Sequence, residues 1–167
     1  MISIEFQAYK HNLVFIVLED DPNASRKRIY KTIESTDCIY FNLTKDSQDY
    51  ISSVLAGLDA KVFAFIPSGK FLSKANQTRL LEYASIDKDF WGWFKYTKEN
   101  QSHFKLIAKR YDFLESGMFL TSKIYYAIGG LEIISFKSFR NLYGKLNARL
   151  VPQKTNISLV YKNRSIL

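Results

Sequence analysis

Three short apolar runs, separated by segments of helical length and periodicity, constrain this chain more than any other feature. The first, Asn12-Leu13-Val14-Phe15-Ile16-Val17-Leu18, shows no alternation after Asn12. Successive strand side chains point to opposite faces, so an unbroken apolar run needs cover on both. Asp20-Asp21-Pro22-Asn23 stops it, and Asp21 can cap a helix over 22–35 whose first position is Pro22. Residues 38–43 read as a second strand. A helix at about 47–57 then aligns Tyr50, Ile51, Val54, Leu55 and Leu58, with Gly57 near its end. Residues 61–66 make a third strand, Pro67-Ser68-Gly69 breaks it, and a helix at 74–84 turns Leu80, Leu81 and Ala84 inward. Strand and helix alternating three times predict an α/β fold: a three-layer α/β/α sandwich around a mostly parallel sheet with crossover helices.

Ligands of such sheets bind beyond the carboxyl ends of the strands. The segments to watch are therefore 19–21, 42–46 and 67–70.

The second half reads differently. Asp89-Phe90-Trp91-Gly92-Trp93-Phe94-Lys95-Tyr96 alternates as a half-exposed strand does, with Trp91 and Trp93 pointing the same way. Those two rings are read either as a stacking platform for a sugar or base or as core. Residues 102–114 carry a helical stripe. Residues 118–120 form a short strand, Thr121 caps a short helix, and Gly129-Gly130 ends it. A further helix is expected at 136–146 and extended chain at 149–161. No repeat and no linker divides the 167 residues, so one domain is expected, its first half at about 12–88 and its second at 89–167.

Charge is unevenly placed. The chain carries 24 Lys and Arg against 16 Asp and Glu, a net +8. After Glu132 there is no acid, while Lys137, Arg140, Lys145, Arg149, Lys154, Lys162 and Arg164 follow. Such a segment suits an anionic membrane surface, a phosphorylated carrier or nucleic acid, or it is a solvated basic face. With one cysteine, Cys38, no internal disulfide can form. Its apolar surroundings in sequence suit a buried structural thiol. No apolar stretch is long enough to span a bilayer, and the N-terminus lacks the basic head and apolar core of a signal peptide. A cytoplasmic location is expected, including a peripheral one on the inner face of the membrane. His11 and His103 have no ligand-like neighbours, and HExxH, CxxC and GxSxG are absent. Ser68-Gly69-Lys70 lacks the upstream glycine and the following Ser or Thr of a phosphate-binding loop.

The most specific stretch is Glu115-Ser116-Gly117-Met118-Phe119-Leu120-Thr121-Ser122-Lys123, continuing Ile124-Tyr125-Tyr126-Ala127-Ile128-Gly129-Gly130-Leu131. It resembles family 2 glycosyltransferases, in which an acidic-Gln-Gly triplet, a short apolar strand and a small helix lead to a Gly-Gly-Phe ending. The resemblance extends more loosely over 12–164. It implies an abbreviated nucleotide-diphospho-sugar transferase-like fold and transfer of a sugar from a nucleotide-sugar to a cell-envelope glycan or lipid.

That resemblance also implies carboxylates, held near the diphosphate with a magnesium or manganese ion, and a general base for the acceptor hydroxyl. The corresponding positions here are Pro67-Ser68-Gly69-Lys70 and Ile134-Ser135-Phe136-Lys137-Ser138-Phe139, neither with an acid. Lys70 can offset diphosphate charge in place of a metal. Glu115 is the acid left in a family-like position and is the catalytic candidate. Glu19, Asp20, Asn42, Ser68 and Lys70 are the nucleotide-binding candidates. Glu19, Asp20 and Asp21 serve equally well as a helix cap, and Glu115 as an ordinary loop acid. Glu132 reads as surface charge. Three readings follow: an active glycosyltransferase-like enzyme, a non-catalytic relative acting as a binding or partner module, and a basic nucleic-acid-binding protein. The short length also suits a partner protein or a second copy completing the acceptor side.

Overall fold

The structure is a computed structural model, and it describes residues 9–19, 21–24, 36–96, 117–130, 139–153 and 157–161. The first apolar run forms β1 (His11–Glu19), buried continuously from Leu13 through Leu18. The second forms β2 (Thr36–Asn42) and the third β3 (Ala60–Pro67). Both pair with β1 in parallel, β2 along one edge and β3 along the other. The strand expectations therefore hold to within two residues, and the three strands are parallel as read.

Between β2 and β3 lies α1 (Gln48–Ala56), capped by Ser47, whose Oγ accepts from the Tyr50 amide at 3.2 Å. Ile51 and Leu55 face the core, one turn apart. Tyr50 departs from the expected face. It is 53% exposed, its ring edge-to-face with that of Phe41 at a centroid distance of 6.2 Å. After β3 come β4 (Lys70–Leu72), which no periodicity announces, and α2 (Lys74–Ser85). Leu80 and Ala84 are buried as expected; Leu81 is half-buried, and Gln77 takes the third buried position. Gln77 is tolerated there because its Nε2 donates to the Leu72 carbonyl at 3.0 Å.

The sheet is mixed. Among the described residues its order is β2-β1-β3-β7-β5, with β5 spanning Trp91–Trp93 and β7 Met118–Thr121. Both β3–β7 and β7–β5 are antiparallel. Segment 89–96 is not one half-exposed strand. Phe90, Trp91, Gly92 and Phe94 are all buried, and the chain changes sheets at Phe94. The Phe94 amide donates to Gly117, whereas the next amide, Lys95, donates to Ile157. Its continuation β6 (Lys95–Tyr96) joins a second sheet, ordered β4-β8-β6, in which β8 (Ser158–Tyr161) is central.

Two further helices complete the described chain. The first, α3 (Ser122–Ala127), follows β7 directly, and Gly129 and Gly130 end it at φ 87° and 78°, a left-handed backbone that favours glycine. The second, α4 (Phe139–Arg149), runs three residues past the expected end. The helices expected at 22–35 and 102–114 lie outside the described residues, except that 21–24 form a turn.

The alternation of β1 and β3 divides the core into two apolar clusters. Val14, Ile16, Leu18, Phe63 and Phe65 pack with Ile51 and Leu55 of α1, Ile124 and Tyr125 of α3, and Leu146 of α4. Leu13, Phe15, Val62, Ala64 and Ile66 pack with Leu80 and Ala84 of α2 and with Leu72, Phe94 and Ile157. Both faces of the sheet are thus covered, as the unbroken apolar runs require. No described helix is long and apolar enough to cross a membrane.

Candidate site at the carboxyl ends of the parallel strands

With β2 on one side of β1 and β3 on the other, the winding direction reverses at β1. In an open α/β sheet that reversal opens a crevice beyond the carboxyl ends of the two strands that flank it. Register brings the candidate residues to this edge: Glu19 pairs with Asn42, and Leu18 with Pro67. Backbone bonds tie the three exits together, since the Leu43 amide donates to the Glu19 carbonyl at 2.7 Å and the Ser68 amide to the Leu18 carbonyl at 2.7 Å. Glu19, Asn42, Ser68 and Lys70 therefore belong to one edge of the molecule.

Their side chains do different things. Asn42 is 5% exposed. Its Oδ1 accepts from the Thr44 amide at 3.0 Å and the Thr44 hydroxyl at 2.7 Å, and its Nδ2 donates to the Asp21 carbonyl at 3.1 Å. Asn42 is thus a fastener between the β1 and β2 exits. Asp46 closes the same turn, its Oδ2 accepting from the Asn42 amide at 2.7 Å. Within the 42–46 segment the sequence singles out Asn42 alone, although Asn-x-Thr-x-Asp directly after a strand is the composition of a side-chain-stabilised turn.

Two short-range hydrogen bonds run through the acidic cluster. Asp21 Oδ1 accepts from the Asn23 amide at 2.8 Å, and Glu19 Oε1 accepts from the Asp21 amide at 3.0 Å. Asp20 lies outside the described residues, as do Glu115, Glu132 and 131–138, where the general base was sought.

The turn after β3 is built around Gly69, at φ 84°. It delivers Lys70 to the first position of β4, with only 7% of the residue exposed. Lys70 is thus the basic residue that this turn places at the strand-exit edge. Carboxylates suited to a divalent cation are not found with it. Among the described residues no three His, Cys, Asp or Glu side chains converge, and residues 67–70 contribute no acid. Among the described residues, then, no carboxylate set of the kind that holds magnesium or manganese is assembled.

Two other candidates resolve as structure. Trp91 is 2% exposed, and its Nε1 donates to the Leu150 carbonyl at 2.6 Å. Trp93 packs against the same cluster, its ring centroid 5.9 Å from that of Trp91. Trp91 is core, and Trp93 is partly buried against it. Cys38 is half-buried, and burial first, then the neighbouring Asp37 charge, pushes its thiol up to about 11. It is the opposite of an activated nucleophile.

The chain matches no protein-family model, no curated protein and no solved structure.

Proposed function

We propose that this chain is a glycosyltransferase-like domain that binds a nucleotide-sugar beyond the carboxyl ends of β1, β2 and β3. The observation that carries the reading is the reversal of winding at β1, with Glu19, Asn42, Ser68 and Lys70 gathered on that edge. Helices on both faces of the sheet support the finer expectation of a three-layer α/β/α sandwich of nucleotide-diphospho-sugar transferase type. The resemblance of residues 115–131 to the family 2 glycosyltransferases supports the sugar donor. In this reading Lys70 offsets diphosphate charge, and the fastened exits at Asn42 and Ser68 hold the crevice in shape before ligand arrives.

Thermal melting with UDP-, GDP- and dTDP-sugars tests it, with and without manganese. A bound donor at about a hundredfold excess over its Kd raises Tm by roughly 5–10 °C. Lys70→Met abolishes that rise without lowering the melting temperature of the free protein by a comparable amount. If no nucleotide-sugar moves Tm, the reading fails.

A second reading, a non-catalytic relative that binds but does not transfer, is favoured by the acid-free sequences at 67–70 and 134–139. Binding without turnover of the bound donor selects it. Turnover that disappears in Glu115→Ala selects the enzyme.

A further inference from the structure

The acid-free C-terminal segment includes α4 and the loop that follows it, and the described part of this region has an unusual surface. Leu146 is buried at 1% exposure near the end of α4, while Lys145, Asn147, Ala148 and Arg149 are exposed. Lys145 and Arg149 stand one helical turn apart and so share a face. Directly after them come two outward apolar residues, Leu150 at 37% and Val151 at 77% exposure.

This exposure is built into the fold. The Leu150 carbonyl accepts from Trp91 Nε1 at 2.6 Å, and the Gln153 amide donates to the Trp91 carbonyl at 2.7 Å. Two bonds to one buried tryptophan therefore pin the backbone on either side of Val151. Gly92 leaves no clearance beneath the loop, since a Cβ there would lie 2.8 Å from the Gln153 carbonyl oxygen. Val151 is held outward on a fastened loop.

We propose that the end of α4 and the 150–151 tip form a docking surface for an anionic lipid bilayer, with Val151 entering the interface and Lys145 and Arg149 meeting the headgroups. Charge complementarity selects the partner. Seven Lys and Arg side chains and no carboxylate follow Glu132, and a cytoplasmic leaflet rich in anionic lipid attracts such segments. The apolar tip selects a bilayer over nucleic acid, because an outward valine beside basic residues gains by leaving water and has nothing to gain from a phosphate backbone. This surface is separate from the carboxyl-edge site, and its test reads no nucleotide.

The test is co-sedimentation of the full chain with phosphatidylcholine vesicles and with vesicles of phosphatidylcholine and phosphatidylglycerol in equal parts. The wild type pellets with the mixed vesicles and stays in solution with phosphatidylcholine alone. Each basic residue at the surface is worth roughly fivefold in affinity, so Lys145→Glu/Arg149→Glu weakens binding at least tenfold. Val151→Asp weakens it by about tenfold while keeping every basic residue. Both variants alter exposed side chains, and an unchanged Tm confirms that they fold. A wild type that ignores the mixed vesicles overturns the proposal, and so does a Val151→Asp protein that binds them as the wild type does. Retention by duplex DNA with no vesicle binding assigns the basic segment to nucleic acid and overturns it as well.

Discussion

Three residues do work that their types alone do not announce. Gly92 sits where β5 passes between Phe119 and the 153 backbone, and a Cβ there would lie 2.7 Å from Phe119 Cζ and 2.8 Å from the Gln153 oxygen. One neighbour is buried and the other is backbone, so neither can yield cheaply. Gly92→Ala is expected to cost about 1–3 kcal/mol in chemical denaturation. Asn42 makes one side-chain bond across to the β1 exit and two within its own turn, and Asn42→Ala removes all three. A loss of about 2 kcal/mol is expected, accompanied by weaker nucleotide-sugar binding if the exits shape the crevice. Cys38 shifts from 9.0 to about 11, so the thiolate fraction near pH 8 falls about a hundredfold relative to an unperturbed thiol. Iodoacetamide should label the native protein that much more slowly than the unfolded one. Because the folded value is the higher of the two, the stability this thiol contributes is complete below pH 9 and is lost as pH rises toward about 11. An alkaline melting series reads that directly.

At the level of elements, legibility followed the range of the interactions. The first three strands, α1 and α2 are specified by their own periodicities and by Ser47 and Ser73 caps, and sequence reading placed them within two residues. The same holds for β7 and for the short α3 after it, which Gly129-Gly130 closes off. What escaped was set by distant partners. Nothing in Lys70-Phe71-Leu72 says strand, because its pairing partner is Val160 in the last ten residues of the chain. Nothing in 89–96 says that the chain changes sheets at Phe94, because that step depends on Gly117 and Ile157 accepting consecutive amides. The antiparallel direction of β7 was illegible for the same reason: a four-residue apolar strand carries no mark of its direction. The candidate site was legible in part. Its residues follow from the rule that ligands bind at strand ends, but their gathering on one edge depends on β2 and β3 flanking β1, which periodicity does not encode. The roles within it separated only once hydrogen bonds assigned Asn42 and Asp21 to local fastening.

At the scale of the whole molecule, the chain's last described strand holds together two pieces that are far apart in sequence. β8 pairs antiparallel with β4 and parallel with β6, and Leu159 lies opposite both Leu72 and Tyr96. Neither β4, with three residues, nor β6, with two, has another strand partner among the described residues. Lys70 begins β4, so the second sheet also fixes one end of the turn that faces the proposed crevice. Leu159→Pro should therefore act at a distance. Proline removes a backbone donor from a central strand and restricts its φ, at a cost of about 3 kcal/mol or more. If the second sheet is a cooperative unit distinct from the parallel core, the loss is regional. Hydrogen exchange of the variant should show the amides of Lys70–Leu72 and Lys95–Tyr96 losing protection together, while those of β1 and β3 keep theirs. Nucleotide-sugar affinity should fall in the same variant, because the Lys70 end of the turn is no longer anchored. Retained protection in β4 and β6 would show that β8 does not hold them. Loss of protection throughout β1 and β3 as well would show that the two sheets unfold as one body, and Lys70 would then owe its position to the whole fold.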